Sequence, residues 1–304
     1  MHITATHLSK RYGRSLVVDD VSFVAEPGRV TGFLGPNGAG KSTTMRMLLD
    51  LHRPDAGEVR FDGRPLRSYG APLRVVGSLL EARAFDPRST PLTHLRALAA
   101  THRLDRRRVD EMLALSGLGA VAGKRIGSFS LGMAQRLGLA TAMLGDPQTL
   151  VLDEPINGLD ADGVRWVRTV LRDLAAQGRT VLVSSHLMTE MAHTADHVIV
   201  IGKGKVLADA PLAEVIDGAS GGAAVRVRTP QLPELLAALP AGVDVEEREG
   251  QAALLRGADV EQIGRLAAGR GIVLLELSAQ EPSLEDAYLG ITADATEYRT
   301  GRTS

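Results

Sequence analysis

The stretch "GFLGPNGAGKSTTM", residues 32–45, sets Gly35, Gly40, Lys41 and Ser42 at the spacing G-x-x-x-x-G-K-[ST] between an apolar run and a helix-period run. Glycines in such a turn let consecutive backbone N–H groups point inward around phosphate oxygens, and the helix that follows adds its positive dipole end. The segment from Gly35 through Pro36, Asn37, Gly38, Ala39, Gly40, Lys41 and Ser42 to Thr43 is therefore a candidate phosphate cradle. Lys41 carries a full positive charge toward the outer phosphates, and the Ser42 hydroxyl can ligate magnesium. A nucleoside triphosphate with Mg2+ suits this chemistry.

Holding a phosphate is not hydrolysing it, because transfer to water also needs a placed metal and a group that orients the attacking water. "TLVLDEP" supplies candidates for both, as an apolar strand ending in Asp153 and Glu154. Consecutive strand-end residues face different sides, so Asp153 can meet the metal while Glu154 meets the water.

The elements that must position these groups show as alternating patterns. Short apolar, β-branched runs at "VVDDVSFVA", "RVTGFLG", "EVRFDG", "TLVLDEP", "TVLVSSH" and "HVIVIGKGKVLADA" read as strands, with helix-period stretches between them. The alternation predicts an α/β fold with one largely parallel sheet covered on both faces. Small residues cluster at "DGASGGAAVRV", which predicts a linker over 217–222 after a first domain at 1–216. Beyond it, strand, helix, strand, strand, helix and a last strand at "GIVLLELS" predict a small α+β module of ferredoxin-like type over 223–291. The closing stretch 292–304 reads as a disordered tail.

Further motifs follow in an order that resembles the nucleotide-binding subunits of ABC transporters, over residues 1 to about 216. Ser130, Gly132 and Gln135 in "SFSLGMAQRLGLA" look like that family's signature segment, and "SSH" puts His186 in the place of its switch histidine. Asp160 in "NGLD" resembles its D-loop, and Tyr12 in "SKRYG" stands where the family stacks an aromatic ring on adenine. The resemblance implies a P-loop NTPase cassette with a helical subdomain at about 82–145, using ATP and Mg2+. It also implies that Ser130 and Gly132 close on the nucleotide of a second cassette, head to tail, and that His186 bonds the γ-phosphate and the attacking water. Read alone, Tyr12 is a packing residue, His186 a structural histidine after a strand, and Ser130 an ordinary N-cap.

Two positions depart from the family pattern. Glu81 in "VGSLLEARAFDP" stands where the family usually has glutamine, a change that resembles drug-exporter and bacitracin-type members. It is read as a metal ligand, with an ordinary surface carboxylate as the alternative. Leu131 and Met133 flank Gly132 where glycine-rich versions are commoner, which bears on the strength of the contact in trans.

Bulk composition narrows the remaining classes. A hydrophobic fraction of 44% allows a well-buried core, and a formal net charge of −1 gives no reason to expect nucleic acid. With no cysteine, disulfides, zinc-thiolate sites and a thiol nucleophile are excluded. The first residues lack a signal-peptide core, and no apolar run nears the ~18 residues needed to cross a bilayer. With no such run in the chain, the resemblance implies separate integral-membrane permease subunits as partners, with this chain as a homodimer at the cytoplasmic face of the cell membrane. "EPSLEDAYLGIT" resembles a tail segment of multidrug and antibiotic exporters, which favours export. The alternative is a soluble ABC-type ATPase acting on ribosomes or nucleic acid, although such chains usually carry two cassettes or a long coiled coil. A GTPase switch would want an Asn-Lys-x-Asp motif, which the sequence lacks.

Overall fold

Half-buried and fully buried strands follow one another along the chain and sort into separate sheets. The computed structural model describes residues 1–219, 224–280 and 283–292, divided between two units, Met1–Leu212 and Ala213–Ile291. The first unit begins with β1 (Ile3–Tyr12), β2 (Ser15–Ala25), β3 (Val30–Leu34), α1 (Lys41–Leu48) and β4 (Ala56–Phe61). It continues through α2 (Pro72–Val75), β5 (Val76–Leu79), α3 (Pro91–Thr101), α4 (Arg106–Leu115), α5 (Leu131–Met143), β6 (Thr149–Asp153) and α6 (Ala161–Ala176). It closes with β7 (Thr180–Ser185), α7 (Met188–Ala192), β8 (His197–Gly202) and β9 (Lys205–Pro211).

In β3, β6 and β7 nearly every side chain is buried, as in strands covered on both faces. They lie in a six-stranded sheet of order β5-β6-β7-β3-β8-β9, parallel except for the β8–β9 pair. Contrary to the single sheet expected, β2 and β4 do not join it. With β1 they form a separate antiparallel sheet of order β2-β1-β4. The physical reason is the buried-then-exposed alternation along most of β2, which suits a sheet with one wet face. The run at 197–211 is likewise two strands. Lys203 (φ 48°) and Gly204 (φ 79°) both take the left-handed conformation of a two-residue hairpin turn.

One apolar cluster joins Val21 and Phe23 of β2, Phe33 of β3, Met45 and Leu48 of α1 and Phe61 of β4. Both sheets thereby grip α1, and this fixes where its N-terminus points. Elsewhere α6 buries Val167, Val170, Leu171 and Leu174 along one helical stripe. Thr90, Asp105 and Ser130 cap α3, α4 and α5 with side-chain oxygens.

The second part of the chain runs α8 (Leu212–Ala219), β10 (Ala224–Arg228), α9 (Leu232–Leu236), β11 (Asp244–Glu249), β12 (Ala252–Arg256), α10 (Val260–Gly269), β13 (Glu276–Gln280) and α11 (Leu284–Thr292). Its antiparallel sheet has the order β11-β12-β10-β13, in which each βαβ unit is split by a strand of the other, the ferredoxin-like arrangement. Val225, Val227, Leu235, Leu255 and Ile263 form its core.

Boundaries differ from the sequence reading at three places. Residues 217–219 belong to α8 rather than to a linker, and 220–222 lie outside the described residues. Thr292 closes α11 instead of opening a tail, and 293–304 also lie outside the described residues. The last strand starts at Glu276, not at Gly271, because its partner β10 ends at Arg228, opposite Glu276. Upstream of that point Ile272 and Leu274 pack into the core without a ladder partner.

Candidate nucleotide site

The loop from β3 into α1 is shaped by glycines that nothing larger could replace. A Cβ on Gly35 would lie 2.4 Å from the Ile201 carbonyl oxygen, and one on Gly40 would lie 2.7 Å from that of Val17. Gly40 also has a φ of 104°, in the left-handed region. α1 starts at Lys41 with no side-chain cap and no acidic residue in its first turn, so its free N–H groups and dipole remain available to an anion. Lys41 itself is only 7% exposed, with Nζ donating to the carbonyls of Gly35 (2.6 Å) and Pro36 (3.2 Å). Burial holds its pKa below the ordinary lysine value, against the opposing pull of Glu154 and Asp153. An ammonium held this way gains from any anion that enters. The cleft beside it measures about 280 Å3, and Asn37, Gly38, Ser42, Thr43, Asp153 and Glu154 are among its lining.

Asp153 ends β6, and Ser184 of β7 donates its hydroxyl to Oδ1. Glu154 follows with a φ of 51°, rare for a residue with a side chain, and its N–H donates to the Ser184 hydroxyl (3.0 Å) and carbonyl (3.3 Å). Oε2 of Glu154 lies 2.8 Å from Nδ1 of His186. A carboxylate only accepts, so Nδ1 carries the hydrogen and Nε2 is the nitrogen left for a further partner. Sequence reasoning had no claim on Ser184. The signal it left is a polar residue in a strand whose side chains are otherwise shut away from water.

The donor set fits magnesium brought in with phosphates. Ser42 and Asp153 offer hard oxygen donors to one cleft, and Mg2+ commonly keeps waters and substrate oxygens at its other positions. Among the described residues no cluster of three or more His, Asp or Glu side chains could hold a metal unaided. Glu81, expected as a ligand, is placed differently. Its side chain is 65% exposed and its carboxylate pairs with Arg46 of α1 at 3.0 Å, while the cleft lining includes Leu80 but not Glu81. The opposite charge in the last turn of α1 is the physical reason for that pose.

Other expected contacts sit outside this cleft. Ser130 caps α5 by accepting from Met133 N–H (3.2 Å), Gly132 packs beside Leu159, and Asp160 caps α6 by accepting from Gly163 N–H (2.8 Å). Tyr12 is 44% exposed, and its hydroxyl bonds His52 Nδ1 at 2.5 Å. Gln135, expected among the nucleotide-binding residues, has partners within its own chain. It is 4% exposed, and its amide nitrogen donates to the carbonyls of Glu154 (3.0 Å) and Asn157 (3.3 Å), so it faces the chain's own backbone.

Residues 18–157 match the family model described as ABC transporter. The chain is 35% identical over 293 residues to the Nod factor export ATP-binding protein I of Burkholderia pseudomallei, covering 94% of this chain and 95% of that protein. The chain belongs to the ATP-binding subunits of ABC transporters. This ABC ATPase is also 39% identical over 212 residues to the bacitracin transport ATP-binding protein of Bacillus licheniformis, or 69% of each chain. Among solved structures, an ATP-binding subunit of an ABC transporter superposes with a TM-score of 0.66 at 26% identity, over 72% of this chain and 93% of that one. A dimeric bacterial cassette shares the fold, with a TM-score of 0.64 at 22% identity over 69% and 98%. Residues 223–285 match a model described as a domain of unknown function.

Proposed function

We propose that two copies of this ABC ATPase close head to tail on two molecules of Mg-ATP, and that closure and hydrolysis drive separate permease subunits that export an antibiotic, drug or similar compound. The observation that carries the dimer is the division of the site. Lys41, Asp153 and Glu154 line one cleft, whereas Ser130 and Gly132 stand at the head of α5 outside it, where a second chain's nucleotide can meet them. Export rests on the near-full-length similarity to a protein named for Nod factor export and on the shorter one to a bacitracin transport protein.

In this reading Lys41 neutralises the β and γ phosphates, and the N–H groups at the start of α1 hold their oxygens. Ser42 and Asp153 would hold magnesium, which would supply charge neutralisation of the phosphate oxygens. Glu154 accepts the proton of the attacking water, and His186 keeps that carboxylate aimed through the Nδ1 bond while Nε2 faces the γ-phosphate. Tyr12 stacks on adenine, held by His52. None of the described helices is long and apolar enough to cross a membrane. In this reading the permease is a separate chain, and this subunit works at the cytoplasmic face.

The permease docks at a groove of about 280 Å3 lined by Arg83, Phe85, Pro87, Ile126, Gly127 and Phe129. Phe85 packs edge-on against His94, with ring centroids 4.9 Å apart, and so presents a fixed apolar anchor. Phe85→Asp is expected to abolish transport while leaving basal ATPase activity within about twofold. Equal loss of both in paired assays on vesicles would refute this docking site. The ferredoxin-like module regulates or stabilises the dimer. Deleting the residues from 224 onward and finding normal assembly and transport would dismiss that role.

The experiment for the whole reading is purification of tagged Glu154→Gln from its native membranes with Mg-ATP, followed by mass spectrometry of what accompanies it. A multi-helix permease supports transport. Ribosomal or nucleic-acid partners without a membrane chain would overturn it.

A further inference from the structure

The first turns of α5 are keyed into the loop that follows Glu154 at three points. A Cβ on Gly158 would lie 2.2 Å from Leu131 Cδ2, and one on Gly132 would lie 3.3 Å from Leu159 Cδ2. The third point is Gln135, whose Nε2 donates to the carbonyls of both Glu154 and Asn157. Its amide orientation follows from chemistry, because a carbonyl can receive only the NH2 end. This leaves Gln135 Oε1 buried with no partner among the described residues. A buried acceptor without a bond is a cost to the fold, so a glutamine at this place is poorly explained by packing alone.

The beneficiary of the two donated bonds is an unusual backbone. Glu154 has a φ of 51°, a conformation that persists for such a residue only when its surroundings enforce it. From one side Ser184 of β7 receives its N–H through both hydroxyl and carbonyl. From the other, Gln135 of α5 and the N–H of Asn157 (3.2 Å) bond its carbonyl oxygen. We infer that Gln135 is a positioning residue for hydrolysis, tying the signature end of α5 to the Glu154 backbone so that the seat of α5 sets the aim of the Glu154 carboxylate toward water. The inference rests on the proposal that Glu154 accepts the water proton. Its consequence is a path by which an occupied Ser130–Gly132 turn tunes the hydrolytic centre of its own chain, through contacts that involve no nucleotide.

Gln135→Met tests it, since methionine keeps the buried length and removes both donors together with the stranded acceptor. Expected are an unchanged or higher Tm, ATP affinity and KM within about twofold of the parent, and a kcat lower by about tenfold. A kcat within about twofold of the parent in a folded variant would overturn the inference. A fall in ATP affinity as large as the fall in kcat would also overturn it, by making Gln135 a nucleotide contact. Should methionine prevent folding, Gln135→Glu serves instead, because a protonated acid restores one donor where the amide gave two. The ratio of its kcat to the parent's should rise as pH falls from about 8 to about 6, and a flat ratio would again overturn the inference. Glu154→Gln assayed alongside separates the two levels: if it hydrolyses ATP at the parent rate, the role of Glu154 is wrong whatever Gln135 does.

Discussion

Glu154→Gln is expected to lower steady-state ATP turnover by roughly two to four orders of magnitude while retaining ATP binding. The substitution keeps the size of the side chain and an oxygen to accept from His186 Nδ1, so the 2.8 Å contact can persist. What it removes is the carboxylate that takes the proton of the attacking water. The groups that hold phosphate, Lys41 with the first turn of α1, are untouched. Loss of one negative charge beside the cleft also relieves repulsion with the γ-phosphate, so any change in affinity should be toward tighter binding. A nucleotide bound but not cleaved should hold the closed dimer, seen as a Mg-ATP-dependent shift to twice the mass in size-exclusion chromatography with light scattering. Parental turnover in the purified variant would remove Glu154 from the chemistry and return its charge to a structural role.

The cradle was legible because its chemistry is local. Nine consecutive residues from Gly35 to Thr43 specify turn, charge and hydroxyl without help from the rest of the chain. β1 was not legible, and its geometry says why. Alternation runs through Ile3 and Ala5 but resumes at Leu8, because the register shifts at a bulge where His7 takes a φ of 53°. Gly57 completes that arrangement, since a Cβ there would lie 2.3 Å from the His7 carbonyl oxygen, and no pattern in either segment announces the other. Glu81 illustrates the same limit for side chains. Its place near the cradle could be inferred from motif order, yet its actual partner Arg46 is an exposed-looking arginine on a helix already assigned to other work. Gln135 shows the converse, a residue noticed with its segment whose bonds to the Glu154 and Asn157 carbonyls no motif announces, because burial is a property of the folded layers and not of the motif.

Lys41→Met should abolish the stabilisation that Mg-ATP gives the parent, and it should also change the pH dependence of stability in a defined direction. An ammonium against phosphate oxygens makes charge-assisted bonds of about 1.5–3 kcal/mol each, so losing two lowers ATP affinity by roughly a hundredfold or more. Without nucleotide the same charge is a burden on the fold, since burial pushes the Lys41 pKa down and the nearby carboxylates only partly restore it. Between that lowered pKa and the ordinary lysine value the unfolded chain binds more protons than the folded one, and stability rises with pH through the window. Below the window Lys41 is charged in both states, and the full penalty of burying it is present. Methionine carries no such penalty, so the Tm of the variant relative to the parent, both without ATP, should fall as pH rises into the lysine range. Thermal melts of both proteins across that range, with and without Mg-ATP, measure the two effects at once. A Tm difference independent of pH would mean that the fold does not oppose the charge, and a surviving ATP-induced shift would mean that the α1 dipole and loop N–H groups hold the phosphates without it. If both effects are seen, the lysine is a group the fold tolerates at a loss for the sake of its ligand, and the nucleotide-free cleft is charged in advance of what it binds.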